Sequence, residues 1–176
     1  METALKILSD EHQNILKVIT ALLKECDSIE SGNKINKNFF EKIIIFVKDY
    51  ADKFHHAKEE DILFIELCKD EVQMHCNPTQ QMLHEHDLGR DFIKELEKGI
   101  KENDKDKIIE NARGYARLLQ EHIFKEDNVL YPMADEFLNE DIKNKMLEKF
   151  KQVEKSLSKE KEKHLLFLEE LEKENK

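Results

Sequence analysis

The chain has 176 residues, room for one domain with an appendage; 39% are charged, against four glycines, two prolines and no tryptophan. A formal net charge of -10 argues against a nucleic-acid partner, which needs a basic face. The longest apolar run, Ile43 to Val47, is far too short to cross a membrane, and Met1 to Ser9, with Glu2, does not read as a signal peptide. Such a Lys/Glu/Leu/Ile-rich chain with few breakers reads as nearly all helix. The first helix is predicted from about Thr3 to Cys26, with Leu5, Leu8, His12, Ile15, Ile19, Leu22 and Cys26 on one stripe. Ser28 to Asn33 is a loop. A second helix starts after Asn38, with Glu41 completing a capping box, and runs to about Glu71. Asn77-Pro78-Thr79-Gln80 opens a third helix, which runs to about Lys98 before Gly99 and the polar stretch Lys101 to Asp106. A fourth runs from about Lys107 to Tyr131, where Pro132 kinks or ends it. A charged fifth helix, carrying Phe150, Val153, Leu157, Leu165, Leu168 and Leu171, runs from about Glu140 to the end.

These spans predict an all-α fold: an up-down antiparallel four-helix bundle over residues 1–138, with a C-terminal helix over 139–176 packing on it or extending it. Cys26, Cys68 and Cys76 are odd in number and form no CxxC, so they read as reduced thiols of a cytoplasmic protein.

Two segments superpose: Phe54 to Phe64 on Glu121 to Tyr131. Their His, Lys, acid pair and Leu-aromatic end match, and each puts a His and a Glu at i and i+4, stacked on one helix face roughly 6 Å apart along the axis. Helical phase then sorts the histidines. His12, His86 and His122 each occupy a position that should be apolar. Of the tandem pair, His55 continues the stripe of Ile44, Val47 and Ala51 and points in; His56, flanked by Asp49, Asp52 and Glu60, points out. Glu59 and Glu126 turn inward with their histidines, although Asp127 competes with Glu126. One His-x-x-x-acid pair carries little weight among 39 acids. Four inward histidines and two inward glutamates from four helices are different, because buried polar groups need partners and metal ions satisfy all of them together. Ile15, Ile62 and Val129 are expected to form an apolar surround. Tyr115 reads as a core tyrosine, with a hydroxyl donor to the site as the alternative.

At these residues the chain resembles the hemerythrin-like, or HHE cation-binding, family. The carrying motifs are His12, His55-His56-Ala57-Lys58-Glu59-Glu60-Asp61-Ile62-Leu63-Phe64, His86, and His122-Ile123-Phe124-Lys125-Glu126. The resemblance covers about residues 5 to 135 and implies a four-helix bundle around two non-haem iron ions, oxo- or hydroxo-bridged, with manganese or zinc fitting the same ligands. It implies Glu59 and Glu126 as bridges and His12, His55, His86 and His122 as terminal ligands. Oxygen-carrying members have a second histidine four residues from the first on helix three; here those positions are Met82 and Arg90. That departure points away from simple oxygen carriage and towards members that sense iron or oxygen or repair iron-sulfur clusters, although the repair proteins carry a Cys-containing domain ahead of the bundle and this chain starts directly with it. The expected function is to bind or react with O2, NO or peroxide, for sensing, scavenging or damage response. The alternative is an iron-binding, iron-donating or iron-responsive interaction module without turnover, with the C-terminal helix as the protein-partner surface.

Overall fold

The computed structural model describes residues 2–69, 72 and 78–174, and among these there are six helices and no strand. Glu71, His75, Cys76 and the Asn77 cap expected for the third helix lie outside the described residues. Helix α1 spans Ala4–Glu30, capped by Thr3, whose Oγ1 accepts from the Lys6 amide at 3.1 Å. It runs a turn beyond the predicted end because Ile29 is buried in the core; Gly32, at φ 97°, then turns the chain.

Helix α2 is continuous over residues 37–67 but changes its winding. Lys37–Phe46 is α-helical, Val47–His56 and Glu59–Leu63 are π-helical, and Phe64–Leu67 returns to α. The capping box expected at Asn38 is not used: Asn36 caps instead, accepting from the Phe39 amide at 3.1 Å, and the extra residues bring Phe40 into the core.

Helix α3 spans Thr79–Glu102 and passes through Gly99, where the expected break does not occur: the backbone of Ile108 packs there, against the glycine's missing side chain. The chain reverses at Asn103, in the left-handed region at φ 57°, and Asp104 caps the next helix by accepting from the Lys107 amide. Helix α4 is continuous over residues 105–137: α over Lys105–Lys125, π over Glu126–Leu130, α again over Tyr131–Phe137. Pro132 therefore does not end it. The proline falls in the first turn of the α section after the π turn, where a missing N–H interrupts no α ladder. The predicted fifth helix is two, α5 (Glu140–Ser156) and α6 (Ser158–Glu174), divided at Leu157.

Helix α3 packs along α4, and α4 along α1. Helix α5 lies against α1 and the Glu59–Leu63 turn of α2, and α6 against α1 and the Val47–His56 turn. The apolar interior forms two clusters. One gathers Ile15, Ile19, Tyr50, Ile93, Leu119 and the Leu168 and Leu171 of α6; the other gathers Leu8, Leu63, Met82, Leu130 and the Met146 and Phe150 of α5. Along α1, α2 and α3 the boundary between them falls at a histidine and along α4, between Ile123 and Leu130, at Glu126; that polar layer is the site. No helix among the described residues is long and apolar enough to cross a membrane.

Candidate metal centre

Each of the long helices contributes to one buried layer. His12 comes from α1, His55, His56 and Glu59 from α2, His86 from α3, and His122 and Glu126 from α4, all buried. Their ligand atoms fall into two groups, each within 4.8 Å: His12, His55, Glu59 and Glu126; and His56, Glu59, His86 and His122. The two central carboxylates stand between the groups. Glu126 Oε2 is 3.2 Å from His12 Nε2 and 3.2 Å from His122 Nε2. Glu59 Oε2 is 3.7 Å from His55 Nε2 and 3.5 Å from His86 Nε2.

Several features fit these side chains to cations. Glu59 Oε2 and Glu126 Oε1 are buried without a hydrogen-bond partner, and Glu126 Oε2 meets only the two imidazoles, a cost of several kcal/mol for charged groups unless a cation meets them. The Nε2 atoms of His86 and His122 face each other at 3.1 Å. Two ligands at about 2.1 Å from one ion and at right angles are about 3 Å apart, so this spacing matches adjacent corners of one coordination sphere.

Every inward imidazole is held from behind by a carboxylate at Nδ1. Glu11 accepts from His55 at 2.9 Å, Asp127 from His12 at 3.0 Å, Glu60 from His86 at 2.7 Å, Glu85 from His122 at 2.8 Å and Asp52 from His56 at 3.3 Å. The bond assigns the proton to Nδ1 and leaves the Nε2 lone pair facing the centre, as metal-binding histidines require. A further ring of groups steadies these carboxylates: Lys58 on Glu11, Lys125 on Glu85, Ser9 on Asp127, and Arg90 on both Asp52 and Glu60. The aligned segments thus make matching bonds. Glu59, Lys58 and Glu60 in one correspond to Glu126, Lys125 and Asp127 in the other.

Around the buried layer the match fails at two places. Where one segment has Phe64, stacked on His86 with ring centroids 6.0 Å apart, the other has Tyr131, stacked on His12 at 5.5 Å. The Tyr131 hydroxyl donates to Glu59 Oε1 at 2.6 Å. Where one has His56, the other has Ile123.

Burial works against charge throughout the layer, and partners decide which groups keep it. Against burial, Asp127 and Glu126 raise His12 to about 9, and Glu126 with Glu85 raises His122 to about 10. Burial, with His12 nearby, pushes His55 well below its ordinary value; burial and His86 push His56 down to about 4. Burial and the neighbouring Glu126 raise Glu59 well above the carboxylate range, whereas His122 and His12 overcome burial and hold Glu126 well below it. Without a cation, protons on Glu59, His12 and His122 balance the layer.

All six residues expected from the sequence therefore meet in one layer. Of the two acids competing at the end of the second segment, Glu126 lies at the centre and Asp127 behind His12. The outward assignment of His56 is corrected: it is buried and stacks on His86, centroids 3.7 Å apart. Val129, expected in the apolar surround, is 47% exposed; the π turn carries Leu130 inward in its place. Tyr115 packs beside Gly89 as a core residue, and the hydroxyl at the site is that of Tyr131. The backing carboxylates were missed because acids beside buried histidines look like solvated surface; the Glu11-His12 and Glu85-His86 pairs were the visible signal.

The hemerythrin HHE cation binding domain model matches residues 3–134. No curated protein and no solved structure matches the chain. The chain belongs to the hemerythrin HHE cation-binding family.

Proposed function

We propose that this hemerythrin-family chain holds two non-haem iron ions between its four long helices and presents them to a small ligand, O2, NO or peroxide, in the cytoplasm. The observation that carries the reading is the pair of central carboxylates, Glu59 and Glu126, each within 3.7 Å of one imidazole on either side and each with a buried oxygen lacking a partner. His12 and His55 would hold one ion and His86 and His122 the other, with Glu59 and Glu126 shared. Manganese or zinc suits the same donors. When bound, the pair of irons supplies a redox-active centre for a small oxidant or nitric oxide.

The protein's own part is to shape access and fix the ligands. A cavity of about 110 Å³ reaches the layer on one side, between Val47, Gly89, Ile93, Leu118 and His86. Its walls are mostly apolar, which suits a diatomic guest over water. Tyr131 fixes one oxygen of Glu59 and leaves the other free to turn to the ions. We read the four long helices as an up-down antiparallel bundle, supported by the two-residue reversal between α3 and α4, and residues 139–176 as its appendage.

A second reading is favoured by one contact chain. His55 donates to Glu11, Glu11 takes Lys58, and Lys58 lies 3.9 Å from Glu154 of α5. A change at the ions would be felt by the C-terminal helices, as an iron-responsive interaction module without turnover requires.

Anaerobically prepared protein is the test. Two irons per chain are expected, with near-ultraviolet absorption that changes on adding O2 or NO. Protein that takes up no metal, or keeps its metal when Glu59→Gln and Glu126→Gln are combined, refutes the reading. Metal uptake with no response to either gas, together with α5 contacts that change on iron removal, moves the conclusion to the second reading.

A further inference from the structure

Resting on the two-ion reading and deepening it, we propose that His56 is a third imidazole ligand of the ion held by His86 and His122, so that the two ions have unequal histidine sets. The ligand atoms of His56, Glu59, His86 and His122 all lie within 4.8 Å of one another, with every member buried. Asp52 takes the outer nitrogen of His56, which turns Nε2 towards the layer. The ring lies flat on that of His86, 12° from parallel at 3.7 Å, so that one of the two rings tilts when both Nε2 atoms turn to one ion.

Its support is as elaborate as that of the other four histidines. Arg90 donates through Nε at 3.0 Å and Nη2 at 2.6 Å to Asp52, and through Nη2 at 2.8 Å to Glu60. One guanidinium thus ties together the carboxylates behind His56 and His86. A histidine there only to fill space would not need a backing acid that is itself clamped.

The other half of the site supplies the contrast. The equivalent of His56 is Ile123, so the ion at His12 and His55 has no third imidazole. That ion has Tyr131 instead, hydrogen-bonded to Glu59 and 3.3 Å from His12 Nε2. His56 also forms part of the cavity wall, which leaves a competing role: a group off the metal that meets the incoming ligand.

Titration with cobalt(II) alone separates these roles without any turnover. Wild-type protein should bind two ions per chain and show five hyperfine-shifted, exchangeable imidazole N–H resonances, one for each of the five backed histidines. His56→Gln should lose one resonance and weaken one of the two ions more than about 100-fold, leaving the other in place; Asp52→Asn, which spares the imidazole, should weaken the same ion about 10- to 100-fold. Two bound ions with four resonances in the wild type overturn the assignment of His56 alone, as does unchanged binding in His56→Gln. A wild-type chain that does not bind two ions overturns the two-ion reading itself. Should His56→Gln fail to fold, the wild-type resonance count still decides.

Discussion

Lys58 and Lys125 occupy equivalent places in the two aligned segments and bond equivalent carboxylates, Glu11 and Glu85, yet their surroundings differ. The Lys58 side chain is 0% exposed: its Nζ sits 3.7 Å from the centroid of Phe54, close to Phe150 and Glu154 of α5. Lys125 has no such cover and keeps 38% of its side chain exposed. Methionine at each position keeps the stem and removes the charge. At Lys58 this leaves half of a buried ion pair, which costs about 3–5 kcal/mol. Glu11 escapes part of that cost by taking a proton, since burial already pushes its carboxyl up to about 7. The sign follows. A carboxyl raised in the folded state stabilises while protonated and loses that contribution as pH rises, so Lys58→Met should cost about 3 kcal/mol near pH 6 and more near pH 8. At Lys125 the bond is partly in solvent, and of the bonds from His122, Lys125 and Gln81 that hold Glu85 down to about 2 despite burial, those from His122 and Gln81 remain; the expected cost is at most about 1 kcal/mol. For a chain of this size the two variants should melt roughly 6–12 °C and less than about 4 °C below wild type. Urea denaturation of metal-free protein at the two pH values measures both. Equal losses at the two lysines, or a Lys58→Met loss that shrinks as pH rises, refute the reasoning.

Loading the site must displace protons from Glu59, His12 and His122, so metal affinity should rise with pH towards the values of about 9 and 10 at which the two histidines give theirs up. Calorimetry in buffers of different ionisation enthalpy should count about three protons released per chain near neutral pH, and a count of none contradicts the charge balance drawn here. Tyr131→Phe removes the donor to Glu59 Oε1 and should destabilise metal-free protein by about 1–3 kcal/mol in chemical denaturation; a more stable variant would show that bond to be of no consequence. Gly114→Ala drives a methyl group into the Phe92 ring, within 2.8 Å of Cζ, and should cost about 1–3 kcal/mol, whereas at Gly89 the added methyl meets Tyr115 at an ordinary 3.5 Å and should cost only the side of the cavity it fills. Melting temperatures of the pair decide, and a Gly89→Ala variant as damaged as Gly114→Ala counts against the packing described.

What the sequence disclosed depended on how regularly the backbone winds. His12, His86 and His122 lie on α-helical stretches, where the 3.6-residue period holds and neighbouring apolar residues report the facing correctly. His56 ends a π-helical run, Val47–His56, in which i→i+5 bonding widens each turn and rotates successive side chains by less than an α-helix does. Phase counted at the α period therefore drifts along this segment and sends His56 to solvent. The same arithmetic sent Val129 inward across the π turn of α4. The division of the last helix at Leu157 has no glycine or proline to announce it; the turn is set by the tertiary contacts of Leu168 and Leu171 with the core, which no local signal carries.

The acids posed a different difficulty. Asp52, Glu60, Glu85 and Asp127 have the composition and spacing of a solvated face, and a pattern of polar residues does not distinguish a carboxylate meeting water from one meeting the back of an imidazole. The internal repeat holds that information, because an acid kept at the same offset in both halves, as Glu60 and Asp127 are, has a job that surface acids lack. Departures from the repeat are more informative still. Two halves that bound equivalent ions would have no use for a histidine in one segment where the other has Ile123, or for a phenol in one where the other has Phe64. On the two-ion reading these substitutions would fall on opposite ions, one adding a nitrogen donor and the other fixing a shared carboxylate, and the cavity opens on the His56 side. A centre built this way would have one ion with more ligands beside the entry path and one with fewer behind Tyr131, and the ion with fewer ligands would then be the one with a position free for a small ligand.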